Sequence, residues 1–244
     1  MKILELARCI DHSALKPETG EAEIRKLTAQ ALEHHFAAVC VNACWIDLVS
    51  DLIHHAGADN PDNPDQYVAP CACVGFPFGT SPKSVKAAEA ATCVKLGAHE
   101  IDMVIFIPSL LAGDINRARD DVMEVVKAVR LVRPGTIVKV ILETALLNPE
   151  QIALGCRAAQ EAGADFVKTS TGFHPAGGAT EAAVRQLRAH AGEMKVKASG
   201  GIRNLATARA MLAAGANRLG CSASVAILEE LEKGSTEKAH STGY

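Results

Sequence analysis

The chain has 244 residues, 48% of them hydrophobic and only 4% aromatic, and a formal charge of −3. That length suits one large domain with a core of Ala, Val, Leu and Ile, and the absence of a basic run speaks against nucleic acid or an anionic membrane as partner while leaving room for a local anion site. Apolar runs fall short of the roughly 18 residues that span a bilayer, and Met1-Lys-Ile-Leu-Glu-Leu-Ala7 carries charge too early for a secretory signal, so a cytoplasmic protein is expected.

Met1 to Ala7 reads as one or two amphipathic helical turns, and Cys9-Ile-Asp-His-Ser13 as a brief first strand ended before Lys16-Pro17. A helix opens at Thr19, a candidate N-cap, and runs to about His35. Ala37 to Val41 is the second strand, followed by a helix over Trp45 to Ala56. The segment 58–65 is dense in Asn, Asp and Pro and reads as a surface loop. Val68 to Gly75 is the third strand, with a helix from about Pro82 to Leu96. His99 to Ile105 is the fourth, with a long helix over Asp114 to Leu131. Thr136 to Glu143 and Asp165 to Thr169 are the fifth and sixth strands, separated by a helix over Pro149 to Glu161. A helix over Glu181 to His190 leads to the seventh strand, Lys195 to Ala198. Leu205 to Ala213 is helical, Asn217 to Cys221 is the eighth strand, and a last helix covers Ser222 to Lys233.

Leu96-Gly97-Ala98, Ala162-Gly163-Ala164 and Ala214-Gly215-Ala216 each end a helix and feed a strand. Glycine just past a helix end supplies the left-handed cap, and repeating that join implies parallel strands with helical crossovers. Eight such units, with no GxGxxG after the first strand, predict one (β/α)8 TIM barrel over 1–233 and a short mobile C-terminal tail over 234–244.

Strand alternation turns the lysines into a chemical pattern. In Val138-Lys-Val-Ile-Leu-Glu143 the apolar face belongs against the helices, which turns Lys139 inward with Ile141 and Glu143. By the same parity Asp102, Lys168 and Lys197 face the interior, and Asp11 on the first strand is a weaker addition. A buried ion network that only fixes register is the rival reading for any one of them. Together they suit amine chemistry: lysine attacks a carbonyl only when neutral, and burial plus a neighbouring cation lower its pKa. Lys197 is placed to do this to Lys168, or the reverse, while an aspartate moves protons. That set fits Schiff-base carbon–carbon bond chemistry.

Gly172, Ser199-Gly-Gly201 and Gly220-Cys-Ser222 follow the sixth, seventh and eighth strands, where barrels of this kind often bind phosphate. Glycines let backbone N–H groups approach an anion, and Ser222 is expected to open the last helix, whose N-terminus favours negative charge. The eight cysteines lack paired zinc-like spacing and the nine histidines lack an HExxH arrangement, so buried reduced thiols and no metal site are expected.

Asp11-His-Ser13, Val74-Gly-Phe-Pro-Phe-Gly79, Glu100-Ile-Asp-Met103, Lys139-Val-Ile-Leu-Glu-Thr144, Phe166-Val-Lys-Thr-Ser-Thr-Gly172 and Val196-Lys-Ala-Ser-Gly-Gly-Ile-Arg203 together resemble the deoxyribose-phosphate aldolase family. The resemblance implies a class I, metal-independent aldehyde-lyase without a cofactor. Its reaction would be reversible cleavage of 2-deoxy-D-ribose 5-phosphate to acetaldehyde and D-glyceraldehyde 3-phosphate, in deoxynucleoside catabolism. Lys168 would form the Schiff base, Lys197 would lower its pKa and Asp102 would transfer protons, supported by Asp11, Lys139 and Ser13. Gly172, Gly200, Gly201, Gly220 and Ser222 would hold the phosphate. A homo-oligomer, with a dimer favoured, is implied as well. Ser13 stands where threonine is common, Phe173 and the Cys221-Ser-Ala223 segment are less typical, and Ala223 lacks a hydroxyl for the phosphate. Cys40 could face the site, though a buried thiol is the plainer reading, and Tyr244 could fold over the mouth. A related phosphosugar aldolase with a longer donor and a non-catalytic sugar-phosphate sensor are the rival functions.

Overall fold

Short runs of β-branched and apolar residues alternate with amphipathic helices along the chain, and each run becomes one stave of a barrel. The computed structural model describes residues 1–241, with side chains through Gly234. The strands are β1 (Ile10–Ala14), β2 (Ala38–Asn42), β3 (Ala69–Val74), β4 (Glu100–Val104), β5 (Ile137–Ile141), β6 (Phe166–Lys168), β7 (Lys195–Ser199) and β8 (Arg218–Cys221). They pair in chain order in one closed parallel sheet, and β8 returns to β1 through Ile10 beside Leu219 and Asp11 beside Gly220. Closure leaves no unpaired sheet edge.

The helices are α1 (Ile3–Ala7), α2 (Glu21–Glu33), α3 (Ile46–His55), α4 (Lys83–Lys95), α5 (Ile107–Leu111), α6 (Ile115–Val132), α7 (Pro149–Glu161), α8 (Glu181–His190), α9 (Leu205–Ala213) and α10 (Ser224–Ser241). Gly97, Gly163 and Gly215, at the joins that repeat in the sequence, have φ of +102°, +81° and +111°, a region open to glycine and strained for other residues.

Three local expectations are corrected. Gly20, not Thr19, caps α2, and Thr19 Oγ1 is buried without a hydrogen bond. The short α5 intervenes before α6, with Pro108 in its first turn, where the missing N–H has no helical partner to lose. The last helix begins at Ser224 rather than Ser222, because Ser224 Oγ turns inward to Cys221 O and His12 Nδ1. The helix spans Ser224–Ser241. The proposed part for Tyr244, and the mobility of the final residues, lie outside the described residues.

The outward residues of the strands, such as Ile101, Met103, Val138 and Val140, are fully buried against the helices. The inward faces of β2 and β3 are small: Ala38, Cys40, Ala69, Cys71 and Cys73. Long side chains from the opposite wall use that space, and Lys139 Nζ reaches within 3.3 Å of Cys71 Sγ.

Outside the barrel, Lys86 of α4 is fully buried against Asp121 of α6, Nζ to Oδ2 2.6 Å. The same ammonium donates to Gly79 O at 3.3 Å and Val104 O at 3.1 Å, while Asp121 Oδ2 also accepts from Phe106 N–H at 2.9 Å. The pair thus ties the β3–α4 turn to the end of β4. Asp121→Ala strands a buried ammonium and is expected to cost about 3–5 kcal/mol. Urea unfolding should show that loss, and the double variant Lys86→Met/Asp121→Leu should recover most of it, since burial then carries no unpaired charge.

Candidate active site

Parity along β4 turns Asp102 into the barrel, and three lysines converge on it from β5, β6 and β7. Its Oδ1 accepts from Lys139 Nζ at 2.7 Å, and its Oδ2 from Lys168 Nζ at 2.7 Å and Lys197 Nζ at 2.6 Å. The register explains the convergence: Asp102 lies beside Lys139, Ile141 beside Lys168, and Lys168 beside Lys197.

A second layer of charge supports the first. Lys139 also meets Glu100 Oε2 at 2.6 Å and Asp11 Oδ2 at 3.4 Å, and Lys197 meets Asp11 Oδ2 at 2.5 Å. Arg218 bridges Asp11 at 2.6 Å and Glu100 at 3.0 Å. Asp11, Asp102, Lys139, Lys168 and Lys197 therefore join one network, while Glu143, turned inward by the same parity, bonds instead to Thr171. Glu100 and Arg218 were missed, although the same parity marks them, two residues before Asp102 and Gly220.

The lysines are not equivalent. Lys139 has three carboxylates within ion-pair distance, Lys197 has two, and Lys168 has Asp102 alone. Burial opposes the ammonium of each, but the carboxylates prevail and hold Lys139 and Lys197 well above the usual lysine range. Lys168 is also raised: burial lowers it, Asp102 raises it, Lys197 lowers it, and the balance favours the ammonium. The expected direction for Lys197 acting on Lys168 is thus found, but the expected net lowering is not, because Asp102 contacts Lys168 directly. Burial alone would raise Asp102, yet the three ammonium groups hold it well below the ordinary carboxylate range.

Above this network lies a cavity of about 490 Å³. Its walls include Ser13, Lys168, Gly172, Gly200, Gly201, Gly220 and Ser222, so the expected nucleophile and every expected phosphate residue share one space. Asp102, Lys139, Lys197 and Asp11 lie beneath it, fully buried. Gly200 has φ +89°, and a Cβ there would stand 3.0 Å from Gly178 Cα and 3.2 Å from Gly172 Cα, so a side chain would press apart the two loops that form the wall. Lys16, Thr171 and Arg203 also line the cavity. Thr171 and Arg203 belong to the motifs quoted from the sequence but were given no role there, and nothing in the spacing of Lys16 distinguishes it from an ordinary loop residue. Phe173 sits at the rim, with its ring 5.3 Å from that of Phe76 in an edge-to-face contact.

Cys40 is fully buried and points into the barrel, its Sγ 3.8 Å from both Cys73 Sγ and Asp102 Oδ2. Hydrogen bonds from Cys71 and Cys73 hold its thiol well below the usual range. Cys40, Cys71 and Asp102 offer donor atoms within 4.8 Å of one another, a grouping the sequence spacing did not reveal. A cation placed there would compete with the ammonium groups already on Asp102. All eight cysteines are free thiols.

A parallel barrel whose inward lysine lines a glycine-walled cavity suits an enzyme of carbon–carbon bond chemistry, and comparison with known proteins places the chain in a family of such enzymes. The DeoC/LacD family aldolase model matches residues 6–229, and the chain belongs to that family. It is an aldolase, a lyase of carbon–carbon bonds. It is 45% identical over 232 residues to the deoxyribose-phosphate aldolase of Caldanaerobacter subterraneus subsp. tengcongensis, covering 95% of each chain. Against that of Enterococcus faecalis the identity is 46% over 226 residues, covering 92% of this chain and 96% of the relative. The tetrameric deoxyribose phosphate aldolase of Aeropyrum pernix superposes with a TM-score of 0.84 at 32% identity, covering 95% of this chain and 92% of that one.

The shifts fix how stability responds to pH. Asp11 and Asp102 are depressed, so their contribution is present above the unfolded carboxylate value of about 3.9 and is lost as pH falls through the folded values. Lys139, Lys168 and Lys197 are raised, so theirs is present below the unfolded value of about 10.4 and is lost as pH rises through the folded values. Thermal melts should give a plateau in the network's contribution between about pH 5 and 9, with the acid loss confined to below about 3.9. Asp102→Asn should lower the plateau by about 3–5 kcal/mol, because three ammonium groups lose their common partner.

Proposed function

We propose that the chain cleaves 2-deoxy-D-ribose 5-phosphate reversibly to acetaldehyde and D-glyceraldehyde 3-phosphate, with Lys168 as the Schiff-base nucleophile. The observation that carries this reading is the position of Lys168. It alone of the three lysines on Asp102 lines the cavity, and it has the fewest carboxylate partners. Four cations (Lys139, Lys168, Lys197, Arg218) share three carboxylates (Asp11, Glu100, Asp102) in this interior. The proton least favoured by carboxylates is that of Lys168.

In this reading neutral Nζ of Lys168 attacks C1 of the open-chain aldehyde, and the carbinolamine loses water to give the iminium. Removal of the C3 hydroxyl proton then breaks the C2–C3 bond, and its electron pair flows into the iminium to form an enamine while C3 leaves as an aldehyde. Protonation at C2 and hydrolysis release acetaldehyde and restore Lys168. Asp102, 2.7 Å from Lys168 Nζ, is assigned proton transfer at this centre. Lys197 biases Lys168 toward the neutral form, and Asp11 and Lys139 hold Asp102 and Lys197 in place. The phosphate is assigned to Gly172, Gly200, Gly201, Gly220 and Ser222, on loops of successive strands, where backbone N–H groups and the start of α10 favour an anion. The mechanism needs no metal or cofactor. A role in deoxynucleoside catabolism, a cytoplasmic location and a homo-oligomeric assembly, with a dimer favoured over the tetramer of the Aeropyrum pernix relative, complete the reading. No described helix is long and apolar enough to cross a membrane.

Borohydride trapping with acetaldehyde, read by peptide mass spectrometry, should place the reduced adduct on Lys168, and Lys168→Ala should lack both adduct and turnover. An adduct on Lys197 would reverse the two lysine roles. No adduct on folded wild type would remove the Schiff-base mechanism.

A further inference from the structure

Glu143 follows β5 on the same inward parity as Lys139, and its backbone is left-handed, φ +58° and ψ +59°. A residue with a Cβ seldom adopts that conformation unless its surroundings hold it there. Its carboxylate is unusual in a second way. Of the five buried acidic residues described, Asp11, Glu100, Asp102 and Asp121 each meet a lysine or arginine, and Glu143 meets none. A buried carboxylate without a cation must replace its lost water with hydrogen bonds.

Those bonds come from one residue. Thr171 N–H lies 3.3 Å from each oxygen of Glu143, and Thr171 Oγ1 donates to Oε2 at 2.5 Å. Thr171 Oγ1 in turn accepts from Phe173 N–H at 3.1 Å. Thr171, Gly172 and Phe173 form the cavity wall beyond Lys168. With its proton committed to Glu143 and one lone pair to Phe173, the Thr171 hydroxyl can offer the cavity only an acceptor.

We propose that Glu143 is a positioning residue: it fixes segment 171–173 and sets Thr171 as an acceptor that selects the hydroxyl-bearing half of the sugar phosphate. The inference rests on the Lys168 Schiff-base reading. Acetaldehyde, the donor half, needs the amine but not this wall, whereas the hydroxylated half needs both. In Glu143→Gln an amide NH2 replaces one oxygen and meets the N–H or hydroxyl of Thr171, so the lock cannot be satisfied as before.

The test compares acetaldehyde trapping on Lys168 with steady-state cleavage of 2-deoxyribose 5-phosphate. In Glu143→Gln the trapping rate should stay within about twofold of wild type, while kcat/KM falls at least about tenfold, mainly through KM. Thr171→Val, which removes the same bond from the other end, should give the same split, and it decides the matter if Glu143→Gln does not fold. Unchanged cleavage would overturn the proposal, and so would an equal fall in trapping and cleavage, the mark of a scaffold role. Wild type that forms no Lys168 adduct would overturn the Schiff-base reading and this inference with it, an outcome distinct from the other two.

Discussion

One carboxylate shared by three ammonium groups is the constraint around which this barrel is built. Asp102, itself without solvent exposure, accepts from Lys139, Lys168 and Lys197. A barrel interior is ordinarily filled by branched apolar side chains. Charges can stand there only if each is paired, because an ion removed from water without a partner is strongly disfavoured. Asp11, Glu100 and Arg218 meet that requirement from the layer beneath, and the small side chains of β2 and β3 give the lysines room to reach across.

The same network separates structural from chemical work. Lys139 and Lys197 are held by several carboxylates and sit below the cavity, whereas Lys168 has one partner and an open side. Lys139 and Lys168 are both raised, but Lys139, with three carboxylates, is raised well above the usual lysine range and so holds its proton more tightly than Lys168. On the proposed reading the site works through this inequality among three chemically identical side chains, which is set by the strand that carries each one.

Around the mouth, loops are held from outside the barrel. Lys86 and Asp121 brace the β3–α4 turn, which carries Phe76 against Phe173 on the opposite rim. Glu143 holds Thr171, and close contact between Gly172, Gly178 and Gly200 draws the β6 and β7 loops together. The cavity wall is thus fixed by contacts between consecutive loops, which suits a site that must grip one end of a substrate while the amine reacts with the other.

Period-two alternation, the glycine joins and the order of elements were enough to reveal a closed parallel barrel and to turn Asp11, Asp102, Lys139, Lys168 and Lys197 inward, because strand parity is a local property. Motifs at the ends of the sixth to eighth strands likewise marked the glycines that wall the cavity. Glu100 and Arg218 were legible by that parity and overlooked. The number of carboxylates around each lysine could not be read, since it depends on register between strands far apart in the chain, and so the upward shift of Lys168 was misjudged. Nor could the pairing of Lys86 with Asp121, the gathering of Cys40 and Cys71 at Asp102, or the left-handed turn at Glu143 be read from sequence. Sequence determined which residues face inward. Tertiary structure decided which of them touch, because burial makes charge energetics depend on distances that only barrel closure sets.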